Sequence, residues 1–414
     1  MFDLKYVIEH KLCMGCGLCA IDPEVNGMTY SRKNDCNIPV NKFLDENSLA
    51  SKVCPGKGYS IISYGKQLYG EQHYDLNLGN YQYLTAAHTS DSSILQNASS
   101  GGVVTAILLY MLRHNVVDKV SATQFCCDRQ GVHTHTFLTD SEEEVLKSQG
   151  SKYCPVDLSN LMEELHDFEG RVAIMATPCA IAGIRTIQRE APNYIKSDIV
   201  FTVANFCGGF KSFKNIKRLA EIHKVDYYNL KEFRFRGDGQ PGSLRFIDNN
   251  GKVASTAYPK YVGLDGYSKM SRCFVCPDAT GELADFSCGD AWIPRFQNDS
   301  HPWSMVICRN KEATELIKDM EKQGDVILKK VSKEEIIASQ KINLKSKKIR
   351  QKARMVVYKM LGRGVPLFDG GYSDELSSIS TECKVVIKHW LTLCAEKTGL
   401  YMCLYGYKKM NNKK

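Results

Sequence analysis

Short apolar runs alternate with amphipathic segments between residues 81 and 310. The run RVAIMA at Arg171–Ala176 predicts a buried strand, and the run IVFTVANF at Ile199–Phe206 predicts a second one. Each run is followed by apolar positions at helical spacing, near Ile181–Arg189 and near Ser212–His223. This alternation favours an α/β core with parallel strands.

Other segments of the same region predict antiparallel pairing. Leu244–Ile247 and Val253–Tyr258 are joined by Asp-Asn-Asn-Gly, which is typical of a hairpin turn. Further strands are expected at Tyr83–Thr89, Val120–Cys126 and His135–Thr139. The fold class predicted for the core is therefore α/β with α+β features.

Three flanking parts differ from this core in composition. Residues 1–62 are rich in cysteine and glycine and predict a small ferredoxin-like module, whereas residues 63–80 are polar and predict a linker. We expect the α/β domain over residues 81–320 and a helical, basic extension over residues 321–414.

Composition narrows the class of protein. With 414 residues, 43% of them hydrophobic and 24% charged, the chain resembles a soluble protein with a sizeable core. The sequence MFDLKYVIEHKLC lacks the regions of a signal peptide, and the apolar run Val103–Leu112 is shorter than a membrane span. We therefore expect a cytoplasmic protein whose 17 cysteines serve mainly as metal ligands, redox groups or buried side chains, not as disulfides.

The clearest chemical signal is a cysteine motif near the N-terminus. Cys13, Cys16 and Cys19 are spaced three residues apart with glycines between them, and Cys54 precedes a proline. Three thiolates at this spacing wrap one face of a cubane while a distant Cys-Pro supplies the fourth, as in bacterial-type ferredoxins. Zinc is the main competitor, although zinc sites usually use two separated cysteine pairs. Because no complete second run follows, we expect one 4Fe-4S cluster in this module.

Four further cysteines occupy positions where ligands converge in an α/β fold. Cys179 and Cys207 each follow a predicted strand and precede a helix, whose N-terminus favours a thiolate. Cys273 and Cys276 add a pair that is followed by a proline. Together the four predict a second 4Fe-4S cluster, for which Cys288 is a substitute ligand or a neighbour. The alternative is that Cys179 or Cys207 is a catalytic or merely buried thiol.

Small residues before a predicted helix indicate a nucleotide cofactor. The sequence Asn-Ala-Ser-Ser-Gly-Gly at 97–102 places bare amides at a helix N-terminus, which suits the pyrophosphate of FAD but also occurs as an ordinary cap. The sequence Gly150–Tyr153 offers a cation and an aromatic face to a flavin, or is a surface turn. Two interpretations apply to Arg234, Arg236 and Lys260: they contact a ligand, or they occupy solvated strand positions.

These motifs stand in an order that resembles the family of coenzyme F420 hydrogenase/dehydrogenase beta subunits (FrhB-like). The resemblance covers roughly residues 10–310 and includes the cysteine module, SSGGVVTA (99–106), GSKY (150–153), ATPCAIAGIR (176–185), FCGG (206–209), CFVC (273–276) and ADFSCGDAW (284–292). It implies an FAD-bearing α/β domain with a ferredoxin module. In such proteins electrons pass between clusters and flavin, and the flavin exchanges hydride with a deazaflavin or another conjugated acceptor.

The resemblance also implies site residues. The expected cofactor-binding residues are Ser99, Ser100, Gly101, Gly102, Thr105, Ser151, Lys152, Tyr153 and Thr177. The candidate catalytic groups are Lys152, Asp285 and Asp290, and structural capping is the alternative for the two aspartates.

The predicted function is that of an oxidoreductase, a cytoplasmic iron–sulfur flavoprotein. It would take single electrons from ferredoxin or a similar donor and reduce or oxidise a conjugated small molecule. Relatives that look like members of bacterial surface-polysaccharide gene sets make that pathway one expected setting. The alternatives are a non-enzymatic electron-transfer adaptor, which would lack a reactive flavin, and a zinc-stabilised interaction protein, which would lack iron.

The formal charge of +8 has a local origin. Between Lys341 and Arg363, here called the basic segment, the chain has nine Lys or Arg residues and no acidic residue. This segment and the amphipathic Val385–Leu393 predict helices that either are solvated on the body or contact an anionic membrane or an acidic partner. Nucleic acid is not expected, because no binding fold for it accompanies the charge.

Overall fold

The structure is a computed structural model that describes residues 2–71, 74–239, 241–262 and 269–397. The last part of the predicted extension, residues 398–414, lies outside the described residues.

Short helices and strands make up most of the described chain. The helices are α1 (Leu4–Glu9), α2 (Leu49–Val53), α3 (Ile62–Tyr69), α4 (Ser92–Asn97), α5 (Val103–Arg113), α6 (Glu142–Lys147), α7 (Ser159–Asp167), α8 (Pro178–Glu190), α9 (Phe213–Ile222), α10 (Ser271–Phe274), α11 (Pro294–Gln297), α12 (Lys311–Gln323), α13 (Lys333–Ser339), α14 (Lys341–Leu344), α15 (Gln351–Met360) and α16 (Ile379–Lys397). The strands are β1 (Met28–Ser31), β2 (Cys36–Pro39), β3 (Gly58–Tyr59), β4 (Tyr83–Thr89), β5 (Lys119–Asp128), β6 (Gly131–Thr139), β7 (Arg171–Ala176), β8 (Asp198–Asn205), β9 (Leu230–Arg234), β10 (Ser243–Asp248), β11 (Val253–Ala257), β12 (Phe286–Asp290), β13 (Ser304–Cys308), β14 (Val326–Lys330) and β15 (Leu367–Phe368). A π-helical turn, Lys345–Ile349, joins α14 to α15.

A large mixed sheet forms the centre of the fold. Among the described residues its eight strands follow the order β14–β4–β13–β12–β8–β7–β5–β6. The central strands β12, β8, β7 and β5 run parallel, and the strands on either side of them are antiparallel to their neighbours. The carboxyl ends of β7, β8 and β12 therefore lie together at the same end of the sheet, where α/β proteins bind ligands.

Helices cover both faces of this sheet because both faces are apolar. On one face α5 and α12 pack on the strands through buried residues such as Leu109, Met111 and Ile317. On the other face α7 and α8 contribute Leu165 and Ile184. Burying each such side chain stabilises the fold by about 1.5–3 kcal/mol, which is why the apolar run that begins at Val103 is a core helix.

The N-terminal residues pack directly on this second face. Leu18, Ile21 and Val53 join the cluster formed by α7 and α8. Gly183 on α8 allows the close approach, since a Cβ atom there would collide with Leu18. A three-stranded antiparallel sheet, β11–β10–β9, completes the body.

Most of the elements predicted for residues 81–310 are confirmed. The strand predicted at Arg171–Ala176 is β7, the helix that follows it is α8, and the predicted hairpin is β10 and β11. Two boundaries differ from the prediction. Helix α3 lies largely within the polar segment 63–80, and β14 extends the main sheet beyond residue 320 by pairing with β4. Lysines on this edge strand make its sequence look like part of a basic tail.

The basic segment is not a solvated helix at its centre. Lys347 and Arg354 are each 2% exposed and Lys348 is fully buried. Lys348 forms an ion pair with buried Glu282, and Arg354 Nε lies 2.7 Å from Glu382 Oε2. The carboxylates paired with Lys348 and Arg354 and the backbone carbonyl that holds Lys347 all lie outside the segment, so the sequence of the segment alone resembled a membrane-binding surface. Nowhere in the described chain is a helix both long and apolar enough to cross a membrane.

Replacing Lys348 with methionine should lower the free energy of unfolding by about 3–5 kcal/mol, because Glu282 would remain as a buried, unpaired carboxylate. Urea denaturation of the full chain measures the difference. The exposed neighbour Lys345 provides the matched control, and its change to methionine should leave the unfolding midpoint unchanged. Equal midpoints for Lys348→Met and the unaltered protein would contradict the structural role of this pair.

Candidate cluster and flavin site

The first group of cysteines is formed by a loop and a helix end. Cys13, Cys16 and Cys19 lie in and after the loop that follows α1, and Cys54 directly follows α2. Gly15 in this loop has a φ of +68°, and a Cβ atom there would lie 2.6 Å from the Cβ atom of Cys36. The loop can therefore fold tightly only with glycine at this position.

The cysteines of the first group are close enough for a charge on one to change the pKa of another. Burial raises the pKa of Cys16 and Cys19 well above the usual value, and a negative charge on Cys54 raises both further. Burial and a charge on Cys13 raise the pKa of Cys54 to about 11. Thiols that oppose each other's ionisation need a positively charged group among them to become thiolates.

Cys36 lies beside this group although its spacing gave no sign of it. Its hydrogen bond with Cys13, together with burial, raises the pKa of Cys13. Cys36 itself is fully buried at the start of β2.

The second group of cysteines comes from three separate segments. Cys179 lies in the first turn of α8, and Cys207 follows β8. Cys273 belongs to the short helix α10 and Cys276 follows it. The Cys207 N–H donates to the Ala279 carbonyl at 2.8 Å, which joins the last two segments. The expected convergence of loops at the carboxyl ends of β7 and β8 is thus present.

These four thiols also influence one another. Burial raises the pKa of Cys179, and negative charges on Cys276, Cys207 and Cys273 raise it further. Burial alone would raise the pKa of Cys276, but the nearby charges of Lys347 and Arg272 lower it below the usual value. Two cations, Lys347 and Arg272, therefore favour the thiolate form of Cys276.

Arg272 connects the two groups. Its Nε and Nη2 atoms donate to the carbonyls of Gly56 at 3.1 Å and Pro55 at 3.0 Å, immediately after Cys54. Its Nη1 atom is buried and has no hydrogen-bond partner among the described residues. An acceptor close to Cys276, such as a cluster sulfide, would satisfy this donor.

The chemistry of both donor sets is compatible with an iron–sulfur cluster. Within the described ranges, no three Cys, His, Asp or Glu side chains are arranged to hold one metal ion. A cubane is bound through four different iron atoms, so its cysteines surround a volume and do not converge on one point. Each of the two groups has four thiols, which is the number that binds such a cluster.

A cavity of about 280 Å³ borders both groups. Cys16 of the first group and Cys179 of the second both line it. Its wall also contains residues predicted to bind a cofactor, namely Ser99, Ser100, Gly102, Thr105, Ser151, Lys152, Tyr153 and Thr177. The structure therefore brings together eight of the nine predicted residues.

The N-terminus of α5 opens into this cavity. Its N-cap residue, Gly102, has a φ of +71° and provides no side-chain cap, so the first amides of the helix remain available. The ninth predicted residue, Gly101, instead donates its N–H to Ser304 Oγ at 3.0 Å. Ser151 donates from both N and Oγ to Ser99 Oγ, which fastens the loop of residues 150–153 to the loop before α5.

Arg236 organises the other side of the cavity. It is 2% exposed and donates from Nη1 to Asp290 Oδ2 at 2.9 Å and to the Tyr153 hydroxyl at 3.4 Å. A further hydrogen bond reaches the Ser99 carbonyl, and the guanidinium lies 4.5 Å from the ring centroid of Tyr258. Burial alone would lower the pKa of Arg236, but Asp290 and Tyr153 raise it above the usual range, so it remains a cation.

The three candidate catalytic groups have different surroundings. Lys152 lines the cavity, and its ammonium group donates to backbone carbonyls that include Gly150 at 3.0 Å. Burial lowers the pKa of Lys152 to about 8. Asp290 also lines the cavity and is paired with Arg236.

Asp285 is the candidate that the structure does not bring to the cavity. Its carboxylate accepts from Thr202 N at 2.8 Å, Arg185 Nη2 at 3.0 Å and Asn310 Nδ2 at 2.9 Å. These bonds fix β12 to its surroundings, which is the structural alternative considered for this residue. Cys288, the possible substitute ligand, lies on β12 in the core and contributes to the cavity wall.

Fold and site together define a mixed α/β protein in which two groups of cysteines flank a cavity with an open helix N-terminus. Two family models match this chain. The N-terminal model of the coenzyme F420 hydrogenase/dehydrogenase beta subunit matches residues 84–163, and the C-terminal model matches residues 169–334. The chain belongs to this family. The first cysteine group and the basic segment lie outside both matches.

Individual relatives agree with this assignment. The beta subunit of the coenzyme F420 hydrogenase of Methanococcus voltae is 27% identical over 293 residues, which cover 70% of this chain and 99% of that protein. The coenzyme F420-dependent sulfite reductase of Methanocaldococcus jannaschii is 24% identical and covers 80% of this chain, whereas the match spans 50% of that protein. These relatives are oxidoreductases or their subunits.

A solved structure shares the fold. A chain of the F420-reducing NiFe hydrogenase complex from Methanosarcina barkeri superposes with a TM-score of 0.55 at 22% identity. The match covers 71% of this chain and 98% of that one. The predicted α/β class is confirmed as a mixed α/β fold with a large mixed sheet.

Replacing Arg236 with methionine should lower the free energy of unfolding by about 2–3 kcal/mol, since Asp290 and the Ser99 carbonyl would lose a charged donor. Arg234, two residues earlier, is the control, because it pairs with the half-exposed Asp238. Its change to methionine should cost less than about 1 kcal/mol. Urea denaturation compares the two variants, and similar losses for both would contradict the organising role of Arg236.

Proposed function

We propose that this chain is an iron–sulfur flavoprotein oxidoreductase with two 4Fe-4S clusters and FAD. The observation that carries the proposal is the cavity that both cysteine groups line, because a cofactor bound there would lie next to Cys16 of the first group and Cys179 of the second. When bound, the clusters supply one-electron transfer and the flavin supplies two-electron transfer.

The cysteine groups provide the proposed cluster ligands. Cys13, Cys16, Cys19 and Cys54 would hold the first cluster, and Cys179, Cys207, Cys273 and Cys276 would hold the second. The buried donor Arg272 Nη1 and the amide of Gly209, which donates to Cys207 Sγ at 3.3 Å, would stabilise negative charge at the second one.

The cavity walls provide the proposed FAD contacts. The uncapped amides at the start of α5, next to Gly102 and Thr105, suit a pyrophosphate. Tyr153 is held by Arg236 and can present its ring to a flavin, while Lys152 can share a proton at Nζ because its pKa is about 8. Met175 and Phe206 add apolar surface to the walls of the cavity.

The proposed acceptor is a conjugated small molecule or a deazaflavin. The relatives from Methanococcus voltae and Methanocaldococcus jannaschii carry coenzyme F420 in their names, which supports a deazaflavin. We propose ferredoxin or a similar protein as the electron donor, the cytoplasm as the compartment, and surface-polysaccharide metabolism as one setting. A non-enzymatic adaptor subunit is the second candidate, because the similar solved chain belongs to a larger hydrogenase complex.

Anaerobically purified protein should contain about eight irons and eight sulfides with one FAD per chain. Cys19→Ala and Cys276→Ala should each reduce the iron content to about four, because each change removes one ligand of a different cluster. Iron, sulfide and flavin analysis with a visible spectrum makes the measurement.

Cys126→Ala is the control for these variants, since Cys126 is a partly buried cysteine on β5 outside both groups. It should keep the full iron content. Zinc in place of iron would overturn the proposal, and iron without flavin would favour the adaptor.

Thr105→Glu should weaken FAD binding at least tenfold. Thr105→Gln should not, although glutamine has the same size as glutamate. A carboxylate in the first turn of α5 stabilises the helix, so the fold should persist. It would nevertheless repel a pyrophosphate, and two unit charges about 4 Å apart near a protein surface repel by about 4 kcal/mol. Fluorescence titration of FAD into the flavin-free protein gives both affinities, and equal values would exclude this position for the pyrophosphate.

A further inference from the structure

Lys347 is a buried cation next to the second cysteine group. It belongs to the π-helical turn Lys345–Ile349 and is 2% exposed. Its Nζ atom donates to the Asp278 carbonyl at 2.7 Å, and the same carbonyl oxygen lies 3.9 Å from Cys276 Sγ. The ammonium group and the thiol thus contact one backbone oxygen.

The groups that favour the charged form of Lys347 are mainly the cysteines of the second group, with Asp278 contributing less. In the described part of the chain, Lys347 makes no salt bridge with a carboxylate, unlike its neighbour Lys348. Burial alone would lower its pKa, but negative charges on Cys276, Cys207 and Cys273 raise the pKa above the usual range. A buried ammonium group is costly without a counter-charge, so this position is suited to a site that carries negative charge.

The position of Lys347 is fixed by contacts of two residues that follow it in the chain. Lys348 is held by Glu282 and by the Gly371 carbonyl at 2.8 Å. Arg354, one helix further on, donates to the Phe274 carbonyl at 2.9 Å, between Cys273 and Cys276. The turn therefore cannot move away from the cysteines without breaking buried ion pairs.

We propose that Lys347 is a positioning residue that raises the reduction potential of the 4Fe-4S cluster held by Cys179, Cys207, Cys273 and Cys276. The inference rests on the proposed function, because it requires the second cluster. Reduction adds one negative charge to a cluster, so a fixed cation stabilises the reduced form more than the oxidised form. Charge and hydrogen bonding around the ligands are the means by which proteins adjust such potentials.

Two other cations near this group are less suited to the role. Burial lowers the pKa of Lys269 to about 8, so its charge depends on conditions near neutral pH. Arg272 precedes Cys273 and binds the carbonyls of Gly56 and Pro55, so its replacement would disturb both cysteine groups. Lys347 combines a fixed position with a raised pKa and lies far from the ligands in the sequence.

The test is a potentiometric titration of the anaerobic full-length protein with dithionite, followed by EPR. Lys347→Met should retain about eight irons and shift one of the two midpoint potentials to more negative values. We expect at least a tenfold change in the reduction equilibrium, which is about 59 mV for one electron. The other midpoint should not move. Lys347→Arg should restore most of the original value, and the exposed Lys345→Met should match the unaltered protein.

Lys347→Gln guards against loss of the cluster in the methionine variant, because its amide can still donate to the Asp278 carbonyl. A negative shift in the glutamine variant supports the inference. Full iron content with unshifted midpoints in Lys347→Gln overturns it. An iron content of about four in the unaltered protein would instead overturn the proposed second cluster itself, which distinguishes the two failures.

Discussion

Burying several thiols side by side makes each of them harder to ionise, and the site is organised around this constraint. In the first group, charges on neighbouring cysteines raise the pKa of Cys16, Cys19 and Cys54, while the half-buried Lys57 lowers the pKa of Cys54. In the second group Lys347 and Arg272 oppose the same effect at Cys276. Under the proposed function, these two cations would favour negative charge at the second cluster.

The sheet topology explains why the two groups and the cavity lie together. Parallel pairing of β7 and β8 places the start of α8 beside the loop after Asn205, and β12 brings Asp290 to the same edge. The antiparallel strand β13 begins at Ser304, which holds Gly101 and so positions the N-terminus of α5. One side of the sheet therefore supplies cysteines, a helix N-terminus without a side-chain cap and a paired carboxylate, although these residues come from separate parts of the sequence.

Local patterns predicted the elements well, but they could not show long-range contacts. Apolar runs bounded by turns gave β7 and α8 correctly, and helix-terminal positions for Cys179 and Thr177 followed from them. Arg236 looked no different from Arg234, because only tertiary contacts with Ser99 and Asp290 distinguish them. The buried lysines resembled a solvated helix face for the same reason. The carbonyl bound by Lys347 lies 69 residues away in the sequence, and one bound by Lys348 lies 23 residues away.

The residues beyond the family match complete the site and do not simply extend the chain. Ser339 and Gln340 donate to the Asp290 carbonyl at 2.9 and 2.8 Å, so this part of the chain helps to position Asp290 in the cavity wall. Strand β15 pairs with β3 of the N-terminal region, and Asp369 accepts hydrogen bonds from the first amides of α3. The same part of the chain supplies Lys347. Removing this part would therefore expose the second cysteine group and would also remove the Asp369 cap from the start of α3. A loss of activity after truncation would therefore report on the integrity of the site, and a role at a membrane surface has to be examined by changes to exposed side chains.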